Sequence, residues 1–326
     1  MATFNKDAGA ALLFGVLYLG LWVWMVSGYM SGRYKLRSRW TLLLFHVTVR
    51  VASQGLGVAF GMIGFENIQL FVAYLVMNAE GFFTLTLAAY LFLKGWQKHN
   101  WGDSWLASDR YKDDKAGHVG LLGPLLRPWR YKHYIMAPLH SCLLPGNILI
   151  IVGGVMVSND YDVQDQQTNT AATDQEHTSK LLRTIGAAIF LAVGIFYNAC
   201  VYKTVTSSQT NKRRGTHPTL VILMVVGLFL IVRGVFGLLQ SALYTLSYIN
   251  PLNYTAAGFT NRFIAIEYCL TVLPEFACAS LLNLSWFFRN RDTYPNSSDI
   301  PSDLATTFEP ALSPGEEKDR DYVTRM

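Results

Sequence analysis

Seven runs of mostly apolar residues divide the chain, near positions 8–30, 41–64, 69–93, 134–157, 181–203, 218–246 and 262–288. A helix rises about 1.5 Å per residue and the hydrocarbon core of a bilayer is about 30 Å thick, so each run is long enough to cross. Inside a bilayer the backbone must satisfy its own hydrogen bonds, which leaves the helix as the spanning form for runs of this kind. The expected fold class is therefore all-α: a polytopic transmembrane bundle of seven helices. Charge content agrees, since 15% of the 326 residues are charged, against about 25% in soluble domains. The first run is too long for a signal-peptide core and has no basic flank before it, so it reads as a retained helix.

The connections alternate in charge. "SGRYKLRSRW" after run 1, the long segment after run 3, "KTVTSSQTNKRR" after run 5 and Arg289 with Arg291 after run 7 carry the basic residues. On the other side, "GFEN" has no Lys or Arg, residues 158–179 are acidic, and "LSYINPLNYTAAGFTN" is uncharged. Positive residues stay on the cytosolic side, so the N-terminus is expected outside and the C-terminus in the cytosol. The net charge of +5 is thereby accounted for, and no nucleic-acid partner is expected. Residues 1–291 form the transmembrane domain, and 292–326, rich in Ser, Pro, Asp and Glu, read as a disordered cytosolic tail. "LLGPLLRPWRYKHY" before run 4 suits either the headgroup layer or a plain loop. All four cysteines fall inside spans, so no external disulfide is expected. Asn253 opens a glycosylation sequon on the outer side, close to run 7. The plasma membrane is the expected location, with an internal membrane as the alternative.

Polar residues inside the runs are the candidates for function. "FHVTVRVASQ" in run 2 places His46, Arg50 and Gln54 on one helical face, which continues through Gly57 and Gly61. A lone Arg at mid-membrane costs roughly 2.5–3.5 kcal/mol on insertion scales, so Arg50 must face the bundle and find an acceptor. Gly57 and Gly61 form a small-xxx-small pattern that favours close helix packing. Counting depth from the span ends pairs Arg50 with Glu80 of run 3, either to fix two helices or to meet a substrate. The same counting pairs Arg233 of run 6 with Glu267 of run 7. Glu275, further along run 7 by way of Thr271, is left without an Arg. It is then protonated, or meets His46 or His140 at similar depth.

His46, His140 and Glu275 are a conceivable metal or proton-relay set, since two His and a carboxylate can ligate zinc. No HxxxH or HExxH pattern supports it, and a polar cavity is the favoured reading. No cofactor is expected, and the chain is not read as an enzyme. Pro138, Pro145 and Pro274 would free backbone carbonyls beside this region, or act as ordinary kinks.

At "LIVRGVFGLLQ", "MNAEGFFTLTLAAYLF" and "FHVTVRVASQGLG" the chain resembles a fungal seven-pass integral membrane family of unknown function. More distantly it is similar to the fungal lipid-translocating exporter family. The likeness is a pattern over runs 2 to 7: Arg50, Glu80, Arg233 and the carboxylates of run 7. It departs from the exporter pattern at Leu43, where an acidic residue belongs. The resemblance implies transport or translocation of lipid or a small amphipathic molecule through a polar intramembrane cavity. Substrate-binding candidates are Arg50, Glu80, Arg233, Glu267, Glu275, His46 and Gln54, with membrane lipids or a small amphipathic ligand as partners. A seven-helix receptor fits the same topology, although no DRY-like or NPxxY motif is present. An intramembrane metal-dependent hydrolase would need the His46, His140 and Glu275 set. No nucleotide-binding loop speaks for ATP-driven pumping.

Overall fold

The computed structural model describes residues 5–36, 38–64, 67–102, 104–106, 136–161, 169–208, 210, 217–248, 250–255 and 258–288. Seven helical segments follow the apolar runs. They are α1 (Lys6–Met30), α2 (Arg39–Ile63), α3 (Ile68–Trp101), α4 (Met136–Tyr161), α5 (Asn169–Val205), α6 (Pro218–Ala242) and α7 (Asn261–Phe288). Six of them, all but α4, are long and apolar enough to cross a membrane, and α4 has an apolar stretch over Cys142–Met156. This is the make-up of a multi-pass integral membrane protein. The tail at 292–326, the segment 121–134 and the acidic connection at 162–168 lie outside the described residues.

The distribution of side chains is the reverse of a water-soluble bundle. Leu13, Val16 and Val23 of α1, Ile195 of α5 and Leu228 of α6 are exposed, while His46, Arg50, Ser53 and Gln54 of α2 are buried. Lipid is as apolar as leucine, so apolar burial gives no drive for helices to associate there, and close packing and hydrogen bonds must supply it. Both are visible. A Cβ on Gly61 would come within 2.5–3.0 Å of the Ala8 backbone and Cβ, and one on Gly57 within 3.2 Å of Ala11 Cβ. The small-residue pattern of α2 thus seats α1. A second glycine seam, not foreseen from the sequence, joins α4 to α5 through Gly146, Gly153 and Gly186. Between α5 and α6, Asn198 donates across the crossing to Gly227 O at 2.9 Å.

α3 is the central element and packs against α2, α4, α5, α6 and α7. It runs past the apolar stretch that ends near residue 93. Its extension is held by polar bonds: Gln97 Nε2 donates to Thr204 Oγ1 at 2.8 Å, and Ser104 Oγ donates to Gln97 Oε1 at 2.6 Å. At the same end Tyr34 stacks on Trp40, and its hydroxyl donates to Asn283 Oδ1 of α7 at 3.1 Å. At the other end the α6–α7 connection carries a two-residue hairpin, β1 (Tyr254–Thr255) with β2 (Gly258–Phe259). Its Phe259 joins Phe60, Phe71, Tyr248 and Phe263 in an aromatic cap. Asp7 of α1 accepts from Phe259 N at 3.1 Å, closing the ring of helices.

α7 is interrupted by a π-helical turn at Tyr268–Val272, just before Pro274. Proline has no N–H to give the carbonyl four residues back and its ring crowds that turn, so a widened turn there has an evident cause.

Candidate functional site

The buried charges converge on one carboxylate. Arg50 is fully buried, and α3 makes room for it with Gly81, where a Cβ would overlap the guanidinium. Its Nη1 donates to Asn78 Oδ1, and its Nη2 is ion-paired with Glu275. Glu275, 1% exposed, also accepts from Arg233 Nε at 2.7 Å. One residue of α7 therefore bridges α2 and α6. Asn78 links this group to a second carboxylate, because its Nδ2 donates to Glu267 Oε1 at 3.4 Å. Glu267 also accepts from Tyr248 Oη at 2.5 Å and Gln240 Nε2 at 2.7 Å. With Arg50, Arg233, Glu267 and Glu275 ionised, the cluster carries no net charge. That is the condition under which buried ions are tolerated, given the desolvation cost of each.

The sequence placed the right residues inside but not the right pairs. Arg50 does not meet Glu80. Asn78 and Gly81 are three apart on α3 and share the face toward α2, whereas Glu80 is two residues from Asn78 and points about 200° away. Glu80 instead accepts from Asn147 Nδ2 of α4 at 2.6 Å. Arg233 does not bond Glu267 directly. α6 and α7 run antiparallel, so Gln240, seven residues after Arg233, reaches Glu267, eight residues before Glu275. The π turn makes that eight-residue step behave like seven residues of α-helix. At about 100° per residue, seven brings both carboxylates to nearly the same face. Glu275, expected to lack an Arg, has two.

His46 is buried and does not bond Glu275: its Nδ1 faces Gly81 O at 2.9 Å and Thr84 Oγ1 at 3.2 Å. The His140 side chain is outside the described part. Among the described residues no group of three His, Cys, Asp or Glu is placed to hold a metal ion. Gln54 is buried, and its amide makes no hydrogen bond with any described residue; nor do Tyr18 Oη, Ser53 Oγ and Thr271 Oγ1. Asn253, the sequon residue, donates its Nδ2 to Thr245 O at 3.1 Å and Ser247 O at 2.9 Å. A glycan replaces one of the two hydrogens on that nitrogen and would have to break one of these bonds.

A cavity of about 120 Å³ opens on the opposite side of Arg233, between α3, α4, α5 and α6. Phe71, Leu75, Phe82, Ile150 and Phe190 form apolar wall, and Asn78, Arg183, Arg233 and Gln240 supply polar groups. The Arg233 guanidinium lies over the Phe82 ring, 4.8 Å from its centre. Of the residues selected from sequence, Arg233 lines this cavity, while His46, Arg50, Gln54, Glu80, Glu267 and Glu275 do not. Arg183, Asn78, Asn147 and Tyr248 were missed. For Arg183 a signal existed: Ser179 and Gly186 lie four before and three after it, a small-residue face of α5 that had to be interior. Comparison with known proteins found no family model, curated protein or solved structure that this chain matches.

Proposed function

We propose that this chain is a seven-span membrane protein, N-terminus outside and C-terminus in the cytosol, that binds and moves a lipid or small amphipathic molecule. The observation that carries the reading is the cavity between α3, α4, α5 and α6, apolar in its walls and furnished with Arg183, Arg233, Asn78 and Gln240. Ligand sites have this character: apolar lining with a few convergent polar groups. At about 120 Å³ the cavity is smaller than the roughly 300–1,000 Å³ of drug-sized pockets. It suits a headgroup and the first part of a chain. Arg233 touches the cavity on one side and Glu275 on the other, so ligand contact and the ion-paired cluster share one guanidinium. The resemblance to the fungal exporter family supports the same reading, and the plasma membrane is its proposed site of action.

The reading is tested by reconstituting the full chain in vesicles and following fluorescent lipid analogues of several headgroups between leaflets. Movement faster than in protein-free vesicles is expected for at least one headgroup, and Arg233→Gln is expected to slow it about tenfold, the equivalent of roughly 1.4 kcal/mol. Rates equal to empty vesicles for every headgroup would remove the transport reading and favour a receptor. Orientation is checked separately. A cytosol-active reporter fused after Met326 is expected to be active, and the same reporter near Gln166 silent. The reverse pattern would overturn the topology.

A further inference from the structure

Resting on the cavity reading above, we propose that the cavity selects an anionic amphiphile, and that Arg183 of α5 is the residue that binds its carboxylate or phosphate group. Charge balance is the starting point. The cavity lining includes two arginines and no acidic residue. Arg233 is already matched by Glu275 at 2.7 Å. Arg183 is different: it makes no hydrogen bond or ion pair with any described residue, and its Nε is buried without a partner. The acidic group that influences it from its own helix is Glu176, seven residues back, which is not in hydrogen-bonding contact with it. A guanidinium half withdrawn from water, with its donors uncommitted and apolar rings around it, matches one kind of ligand group. That group is an oxyanion, which a guanidinium can hold through two parallel hydrogen bonds.

The side chain is also positioned. Its stem lies across Gly153 of α4, where a Cβ would come within 2.8 Å of Arg183 Cγ. Ser179, one turn before it, donates to Gly153 O at 2.6 Å, fixing the two helices at that level. The stem is thus laid on the helix crossing and the head delivered to the cavity. Phe71, Leu75, Phe190 and Ile150 offer nothing to a free inorganic ion but do offer a surface to an alkyl chain. A single-chain carboxylate or phosphate monoester is therefore the class that fits both halves of the site.

The test uses the full chain in nanodiscs, with empty nanodiscs as background. The radiolabelled probes are dodecanoate, dodecyl phosphate, dodecylamine, dodecanol and inorganic phosphate. Saturable binding of the first two is expected, with the amine, the alcohol and inorganic phosphate at background. Arg183→Gln is expected to weaken anion binding at least about tenfold, the size of one lost charge-assisted contact. Arg183→Lys should recover part of the loss, and Glu176→Gln should leave binding unchanged or tighter. Equal binding of amine and anions, or wild-type affinity in Arg183→Gln at unchanged melting temperature, would overturn the assignment. Inorganic phosphate binding as tightly as dodecyl phosphate would overturn the amphiphile part. The two readings separate cleanly. Lipid movement without anion preference leaves the transport reading standing and sinks this one, whereas Arg183-dependent anion binding without movement does the opposite.

Discussion

Glu275→Gln is expected to be the most damaging single substitution in the transmembrane region, lowering stability by about 3–5 kcal/mol, the cost of leaving buried charge uncompensated. The reason is its double duty: one carboxylate bonds Arg50 of α2 and Arg233 of α6. Its loss strands two guanidinium groups and unties two helices from α7. The measurement is the melting temperature and the monodisperse yield of the purified variant. Adding Arg50→Met to Glu275→Gln should restore part of the loss, because removing a pair is milder than removing one member. A cycle between Arg50→Met and Glu80→Gln should be near additive, since Glu80 bonds Asn147 instead. Stronger coupling of Arg50 to Glu80 than to Glu275 would contradict the arrangement described.

The second large effect is expected at Gly61. Its neighbour is not a flexible side-chain end but the backbone of Ala8, with N at 2.5 Å and Cα at 2.9 Å from a Cβ placed there. Backbone cannot swing aside, so Gly61→Val must push α1 off α2, at about 1–3 kcal/mol for overpacking of this kind. The displacement would also pull on Asp7, which holds the hairpin through Phe259 N. Gly55 is on the same helix, with nothing within 4 Å of its Cβ position, and Gly55→Val is the matched control. Thermal unfolding of both variants decides the matter, and equal melting temperatures would mean that the α1–α2 seam is looser than it looks.

These two positions also show what could be read from sequence. Gly61 was legible because a small-residue repeat on the polar face of α2 has one economical meaning in lipid, close approach of a neighbour. The burial of Arg50, Arg233 and Glu275 was legible for a related reason: a charge inside an apolar run must turn inward. Partner choice was not legible. It depends on which side of α3 meets α2, and Asn78, a neutral residue that hydropathy passes over, is what decides it. Helix ends failed in the same way. α3 runs on to Trp101, past its apolar stretch, and Gln97 on that extension bonds Thr204 of α5; such polar pairing leaves no trace in an apolar count. Arg183 was overlooked because it sits near the start of its run, where a basic residue is ordinary.

The π turn of α7 has a consequence for sequence length. Within Tyr268–Val272 the helix holds one residue more than its facing requires. Losing one residue there, with Pro274 also replaced so that a plain α-helix can form, would leave Glu267 and Glu275 seven apart, still on one face. A one-residue loss in the uninterrupted turns of α2 or α6 has no such reserve: it would rotate everything beyond it by about 100° and carry Arg50 or Arg233 out of register with its partner. The π turn is therefore where α7 keeps its two carboxylates on one face across an extra residue.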